Sequence, residues 1–196
     1  MRNTNFHIVG IGASAGGHEA LCQFFANLPP TLSTAFVVVT HLLRNFRSEL
    51  PHIISRYTFM NVQRIYNGQL VRPGNVYVMP ENVLVTLKNR QLVLNPRQET
   101  DLLNRCVDEF FFSLADTVRE KAVGVVLSGM GSDGAKGSVA IHEAGGLVLV
   151  QEPSSTPFNS MPMAVIRQDH PQGVLSPEQL GDYLVQQIAA RELQEK

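Results

Sequence analysis

Val9-Gly10-Ile11-Gly12-Ala13-Ser14-Ala15-Gly16-Gly17 is an apolar run that breaks into glycines around one serine and then opens a helix. Three devices can be built on such a turn: a dinucleotide-binding loop, a nucleophile elbow, or a glycine-rich bend that serves close packing. The flanking residues set its context. Residues 6–11 form a continuous apolar run suited to a strand buried on both faces, and Ala20, Leu21, Phe24, Phe25 and Leu28 then recur at helical spacing. Pro29 and Pro30 stop that helix. Residues 35–40 are a second β-branched run of the same kind, so the first 40 residues read as strand, helix, strand with parallel strands. A right-handed crossover sets the second strand beside the first.

After His41 a polar loop to Arg47 is expected, then a short helix from near Ser48 with Leu50, Ile53 and Ile54 inward and Pro51 in its first turn. The middle of the chain changes character. Residues 62–66, 76–79, 83–87 and 91–94 are short strand candidates punctuated by Asn67-Gly68, Pro73-Gly74 and Lys88-Asn89-Arg90. The last two alternate apolar and polar residues across a tight turn, which predicts an antiparallel hairpin at one sheet edge. A polar loop at 95–101 leads to an amphipathic helix marked by Val107, Phe110, Phe111, Leu114 and Val118, followed by the apolar run 122–127. That run ends in a second glycine-rich bend, Ser128-Gly129-Met130-Gly131-Ser132-Asp133-Gly134. A helix over 135–144 closes at Gly145-Gly146, and 147–150 is a further buried strand. Beyond a loop at 151–160, a helix covers 161–168, Val174-Leu175 is a last short strand, and Ser176-Pro177-Glu178-Gln179 carries the start signals of a terminal helix.

Strands alternating with helices imply an α/β fold: a doubly wound, mostly parallel sheet with helices on both faces, here with the antiparallel edge hairpin. At 196 residues, with no linker or repeat, the chain reads as a single domain over 1–196. Its 44% hydrophobic and 17% charged residues are ordinary for a globular protein, and a net charge of −1 offers nothing to nucleic acid or an anionic membrane. Cys22 and Cys106 stand far apart and outside any CxxC pattern, which argues against zinc, a redox pair or a disulfide and predicts two small buried hydrophobes. No signal peptide or membrane-spanning run is visible, so a cytoplasmic protein that is not membrane-inserted is expected.

In such sheets ligands sit outside the carboxyl ends of the strands. Ser14 follows the first strand, His41 the second, and Asp133 the 122–127 strand within a few residues. Gly10-Ile11-Gly12-Ala13-Ser14-Ala15 fits a dinucleotide fingerprint, but that site wants an acid at the end of the second strand, where His41 stands. Gly12-Ala13-Ser14-Ala15-Gly16 equally fits G-x-S-x-G, which exposes a serine hydroxyl at a sharp strand-to-helix turn. A triad in the order Ser14, His41, Asp133 is acceptable because triads are defined by geometry. Each residue has a plainer explanation: Ser14 as a helix cap, His41 as a satisfied polar group at a strand end, Asp133 as the cap of the helix that follows it. His7, His18, His52, His142 and His170 have no metal-ligand spacing and read as structural or surface. Ser128 is expected to shape the bend that carries Asp133.

Taken together these stretches resemble the catalytic domain of the chemotaxis protein-glutamate methylesterases, the CheB type. Residues 11–17 look like that family's serine motif, 37–42 its histidine motif and 127–134 its aspartate motif. Gly68 with 73–78, Val107-Asp108 with 112–115, and Gln151, Pro153 and Ser155 with Met161-Pro162 are also similar. The resemblance implies Ser14 as nucleophile, His41 as general base and acid, Asp133 as the residue that orients the imidazole, and the backbone amides of Ala15 and Met130 as oxyanion donors. It further implies hydrolysis of glutamate γ-methyl esters, and deamidation of specific glutamines, on the helical cytoplasmic domain of a chemoreceptor, without cofactor or metal. The chain departs from the family pattern at Thr40, where glutamine is usual, and at Arg105-Cys106, where serine or Pro-Ser is common. Many members carry a gating receiver domain before the serine motif, and Ser14 is too near Met1 for one. The expectation is a stand-alone catalytic domain, with an ungated enzyme, a separate regulatory partner and a longer natural polypeptide as the alternatives. A non-catalytic interaction module of the same fold, binding a receptor or signalling partner, is the competing functional reading.

Overall fold

The structure is a computed structural model that describes residues 6–29, 32–41, 47–97 and 105–194. Pro30 and the expected loop positions 42–46 and 98–101 lie outside the described residues. Along the chain run β1 (His7–Ala13), α1 (Gly17–Ala26), β2 (Thr34–Thr40), α2 (Leu50–Ile54), β3 (Asn61–Arg64), β4 (Gln69–Leu70) and β5 (Asn75–Val78). There follow β6 (Val83–Lys88), β7 (Gln91–Pro96), α3 (Cys106–Val118), β8 (Ala122–Val126), α4 (Ala135–Glu143), β9 (Leu147–Gln151), α5 (Ser160–Gln168), β10 (Gly173–Leu175) and α6 (Pro177–Gln194).

Seven strands form one sheet in the order β10-β9-β8-β1-β2-β5-β3, with every adjacent pair parallel. The chain starts in the middle at β1, builds outward through β2, then crosses back through α3 to β8 on the other side. The strand order therefore reverses between β1 and β8, which is where a doubly wound sheet opens a crevice at its carboxyl edge. Both faces of β1, β2, β8 and β9 are buried, as their continuous apolar runs require. Val9, Ile11, Phe36 and Val38 join the core beneath α1, α2 and α6, whereas Ile8, Val37 and Val39 join the core beneath α3, α4 and α5.

The predicted hairpin forms, but outside the large sheet. β6 and β7 turn over Asn89 and Arg90, both at positive φ, and pair with short β4 to make a separate three-stranded antiparallel sheet. The reason lies on α3. Ser113 Oγ accepts the Leu87 amide at 2.9 Å and Thr117 Oγ1 donates to the Leu87 carbonyl at 2.9 Å, so helix side chains cover the β6 edge that would have met another strand. Val85, Leu87 and Leu92 fill the core beneath it. Ile53 is only half-buried, unlike Leu50 and Ile54. At the far end the serine-proline start signal is realised: Gln179 N–H donates to Ser176 Oγ at 3.4 Å and Ser176 N–H to Gln179 Oε1 at 3.3 Å.

The opening glycines have a packing purpose. A Cβ at Gly10 would lie 2.8 Å from a Phe110 ring carbon, and one at Gly12 only 2.4 Å from Val107 Cγ1. β1 thus presents bare backbone to α3, and the helix N-terminus comes down directly beside the end of β1. The same logic joins α3 to α4, where a Cβ on Gly137 would meet Phe111 Cβ at 2.4 Å and the Asp108 carbonyl at 3.1 Å. Gly to Ala within a helix ordinarily stabilises by about 0.5–1 kcal/mol. At Gly137 the backbone contact outweighs that gain, and Gly137→Ala is expected to destabilise by about 1–3 kcal/mol, read from the denaturant midpoint.

Where the chain resumes beyond His41, Glu81 anchors it. This buried carboxylate accepts the Ser48 amide and a two-pronged bond from Arg64, one prong of which (Nη1 to Oε1) is 3.1 Å. The Arg64 hydrogen bond, partly opposed by burial, holds the Glu81 carboxyl down at about 2, well below its ordinary 4.5. A lowered acid stabilises the fold above its unfolded value and loses that contribution as pH falls from 4.5 towards about 2. Glu81→Gln should therefore melt lower than the wild type at neutral pH and converge with it in acid, which a pH series of thermal melts would show.

Candidate active site

Ser14 is the first residue past β1, and its position is set by bonds that continue the sheet. The Ser14 amide donates to the Ser128 carbonyl at 2.9 Å and the His41 amide to the Ala13 carbonyl at 3.3 Å, so the ends of β8, β1 and β2 are tied side by side. α1 is capped by Gly16, at φ 73° and without a side-chain bond, so Ser14 is not the helix cap. A Cβ at Gly16 would lie 2.6 Å from Ser128 Oγ and 2.9 Å from the Phe158 ring, which, with the left-handed backbone, leaves that position to glycine. Ser128, expected to shape the bend carrying Asp133, braces the serine turn as well: its Oγ donates to the Ala15 carbonyl at 2.7 Å and meets Thr156 Oγ1 at 2.8 Å. Its amide donates to Gln151 Oε1 at 2.8 Å, and Gly129 N–H donates to the Phe158 carbonyl. Thr156 and Phe158 carry no motif in the sequence, and only folding makes them part of this wall.

The three residues singled out by their strand-end positions come together. His41 Nδ1 lies 3.1 Å from Ser14 Oγ, and His41 Nε2 lies 2.8 Å from Asp133 Oδ2. The Asp133 oxygens also accept the amides of Val107, to Oδ2 at 3.0 Å, and Asp108, to Oδ1 at 2.9 Å. A carboxylate surrounded by donors is an acceptor, so Nε2 carries the ring proton and Nδ1 turns its lone pair to the Ser14 hydroxyl, which donates to it. Spacing along the chain says nothing of which ring nitrogen faces which partner. Nor is Asp133 the cap of its own helix: α4 is capped by Gly134 without a side-chain bond, and the carboxylate instead sits at the N-terminus of α3, where the helix dipole favours negative charge.

Asp108 answers in kind from α3, accepting the Gly137 amide of α4 at 2.8 Å. Each helix thus receives its N-terminal carboxylate from the other's neighbourhood. Burial, reinforced by the Asp133 charge and opposed by the Gly137 bond, raises the Asp108 carboxyl above the ordinary range. Cys106, the first residue of α3, is fully buried, with its Sγ 3.9 Å from the Thr40 carbonyl and within 4.8 Å of the His41 and Asp133 ligand atoms. Burial first, and then the nearby Asp133 charge, push its thiol well up. Of the other histidines, His18 and His52 are exposed, His7 is buried in β1, and His142 Nδ1 pairs with Asp169 Oδ1 at 2.6 Å, away from Ser14.

Beside His41 and Asp133 a cavity of about 310 Å³ opens to solvent between Met130 and the exposed cations Arg105 and Lys136. Met130 and Phe158 are partly exposed hydrophobic side chains next to the serine turn. Among the described residues, the amides of Ala15 and Met130 donate to no protein group. Such an arrangement can support nucleophilic attack: a hydroxyl bonded to one imidazole nitrogen, the other nitrogen held by a carboxylate, and amides without a protein partner nearby.

A family model described as CheB methylesterase matches residues 9–184. The protein-glutamate methylesterase/protein-glutamine glutaminase of Pectobacterium atrosepticum is 32% identical over 187 residues, covering 93% of this chain and 53% of that protein. The corresponding protein 1 of Myxococcus xanthus is 34% identical over 79% of this chain and 46% of its own length. Protein 2 of Pseudomonas fluorescens is 28% identical over 94% of this chain and 49% of its own. The chain spans about half the length of these curated relatives. The crystal structure of the Thermotoga maritima CheB methylesterase catalytic domain superposes with a TM-score of 0.86 at 28% identity, covering 94% of this chain and all of that one.

Proposed function

This chain belongs to the CheB methylesterase family, and from that we propose that it removes methyl groups from glutamate γ-methyl esters in the helical cytoplasmic domain of chemoreceptors, as a serine hydrolase acting in chemotaxis. Residues 1–196 act as one catalytic unit without a cofactor. The observation that carries this reading is the unbroken chain from Ser14 Oγ to His41 Nδ1, through the ring, to Asp133 and the amides of α3.

As His41 Nδ1 takes its proton, Ser14 Oγ attacks the ester carbonyl, and the oxyanion is held by the amides of Ala15 and Met130. The imidazolium returns the proton to the departing methoxide, so methanol leaves and a glutamyl ester of Ser14 remains. Water, deprotonated by the same nitrogen, releases the glutamate carboxylate and restores the serine. On a glutamine the leaving group is ammonia and the product is the same. Asp133 stays ionised and steadies the imidazolium on Nε2. The Arg105 and Lys136 rim suits a substrate surface rich in carboxylates. The setting is cytoplasmic, and no described helix is long and apolar enough to cross a membrane.

The test is methanol release from methyl-esterified receptor membranes. Release by the wild type is expected. If the protein binds receptor fragments but releases no methanol and takes up no serine-directed probe, the interaction module replaces this reading.

A further inference from the structure

We propose that His41 Nε2, Cys106 Sγ and the Asp133 carboxylate form a binding site for a thiophilic divalent cation, Zn²⁺ foremost, and that its occupancy switches Ser14 off. Imidazole, thiolate and carboxylate are the donor types of three-ligand zinc sites that leave a fourth position to water. All the ligand atoms lie within 4.8 Å of one another. Tetrahedral zinc holds such atoms about 3.4–3.6 Å apart, so the 2.8 Å His41–Asp133 pair must open by roughly 0.7 Å and the sulfur close by up to about 1.4 Å.

The surroundings favour that adjustment. The His41 side chain is 20% exposed and is the movable member. Asp133 is already oriented by the Val107 and Asp108 amides, which supply the outer hydrogen bonds that fix a ligating carboxylate. Cys106 sits at the first position of α3, and the charge of the bound metal displaces the thiol proton that burial and the Asp133 carboxylate otherwise hold in place. The cavity is lined by His41 and Asp133, two of the three ligands, and is the entry path. Ligands 65 and 27 positions apart escape any spacing rule, which is why the cysteines read as unrelated hydrophobes in the sequence.

The consequence for the serine follows from proton accounting. When the metal binds, the Cys106 thiol gives its proton to solvent and the metal takes the Nε2 lone pair. The neutral imidazole must then carry its proton on Nδ1. Nδ1–H faces Ser14 Oγ as a donor and can no longer accept the serine proton, so the base is lost without any movement of Ser14.

The test uses the whole chain, titrated with Cd²⁺ and followed by thiolate-to-metal charge-transfer absorbance, with Zn²⁺ as competitor. One saturable ion per chain is expected, displaced by Zn²⁺. Cys106→Ser should lose the band and weaken Zn²⁺ binding about a hundredfold or more, while Cys22→Ser keeps both. His41→Ala, altered at a partly exposed position, should weaken binding in the same direction even if the buried cysteine variant folds poorly. Zn²⁺ should block methanol release by the wild type and spare Cys106→Ser. Absence of the band in the wild type, its survival in Cys106→Ser, or its loss in Cys22→Ser would overturn the site. The spectroscopic arm needs no esterase activity, so failure of the hydrolase reading and failure of the metal site are separately visible.

Discussion

Ser14→Ala is expected to lower methanol release by about six orders of magnitude, leaving only what the oxyanion amides and substrate binding provide. The size of the loss follows from the arrangement around His41. Nδ1 has one acid to deprotonate, and the wall of Ser128, Thr156 and Phe158 holds the turn whether or not the hydroxyl is present. Ser14 does not cap α1, and its Oγ is bonded to the imidazole rather than to the backbone. Removing it should therefore change stability by no more than about 0.5 kcal/mol. Methanol release and a denaturant melt on the same preparation check both halves. Near-wild-type turnover would remove Ser14 from the mechanism.

Asp133→Asn should lose both rate and stability. An asparagine in place of the carboxylate presents one oxygen and one NH₂ group to three donors, the His41 Nε2–H and the amides of Val107 and Asp108. If the oxygen takes the Oδ1 place beside the Asp108 amide, the NH₂ at the Oδ2 place opposes the ring proton and the Val107 amide alike and drives the imidazole to the tautomer with its proton towards Ser14. If it faces His41, an α3 amide is left without a partner. The first outcome costs about four orders of magnitude in turnover, by analogy with triads in which the wrong tautomer is trapped. Either orientation leaves one buried α3 amide without an acceptor, about 1–3 kcal/mol. Rate loss of that size accompanied by a lowered denaturant midpoint is the expected pair of results. Asp133→Ala should be less stable still, because both amides then lose their acceptor. Rate loss without any stability loss would mean that Asp133 does not hold α3.

The order strand, glycines, serine, helix is local, and so are the apolar runs that make β1, β2 and β8 and the strand ends that carry Ser14, His41 and Asp133. A strand buried on both faces can be read from hydrophobicity alone, because burial on two sides leaves no polar alternation to interpret. The family resemblance lay in the same short motifs, which is why the three positions were legible. What Cys106, Asp108, Thr156 and Phe158 touch was not, since each meets the site through a contact made by a distant element.

The sequence by itself determined the parallel α/β plan, the crossover from β1 to β2 and the three residues at the strand ends, because periodicity and turn chemistry act within a few residues. Tertiary structure alone decided that β8 lies on the other side of β1, that the hairpin leaves the large sheet for the hydroxyls of α3, and that Gly10 and Gly12 are bare so that α3 can approach. It also decided the direction of the His41 ring, the seating of Asp133 on a helix other than its own, and the placing of a thiol beside both. Those are long-range contacts, set by how whole elements pack, and no spacing along the chain encodes them.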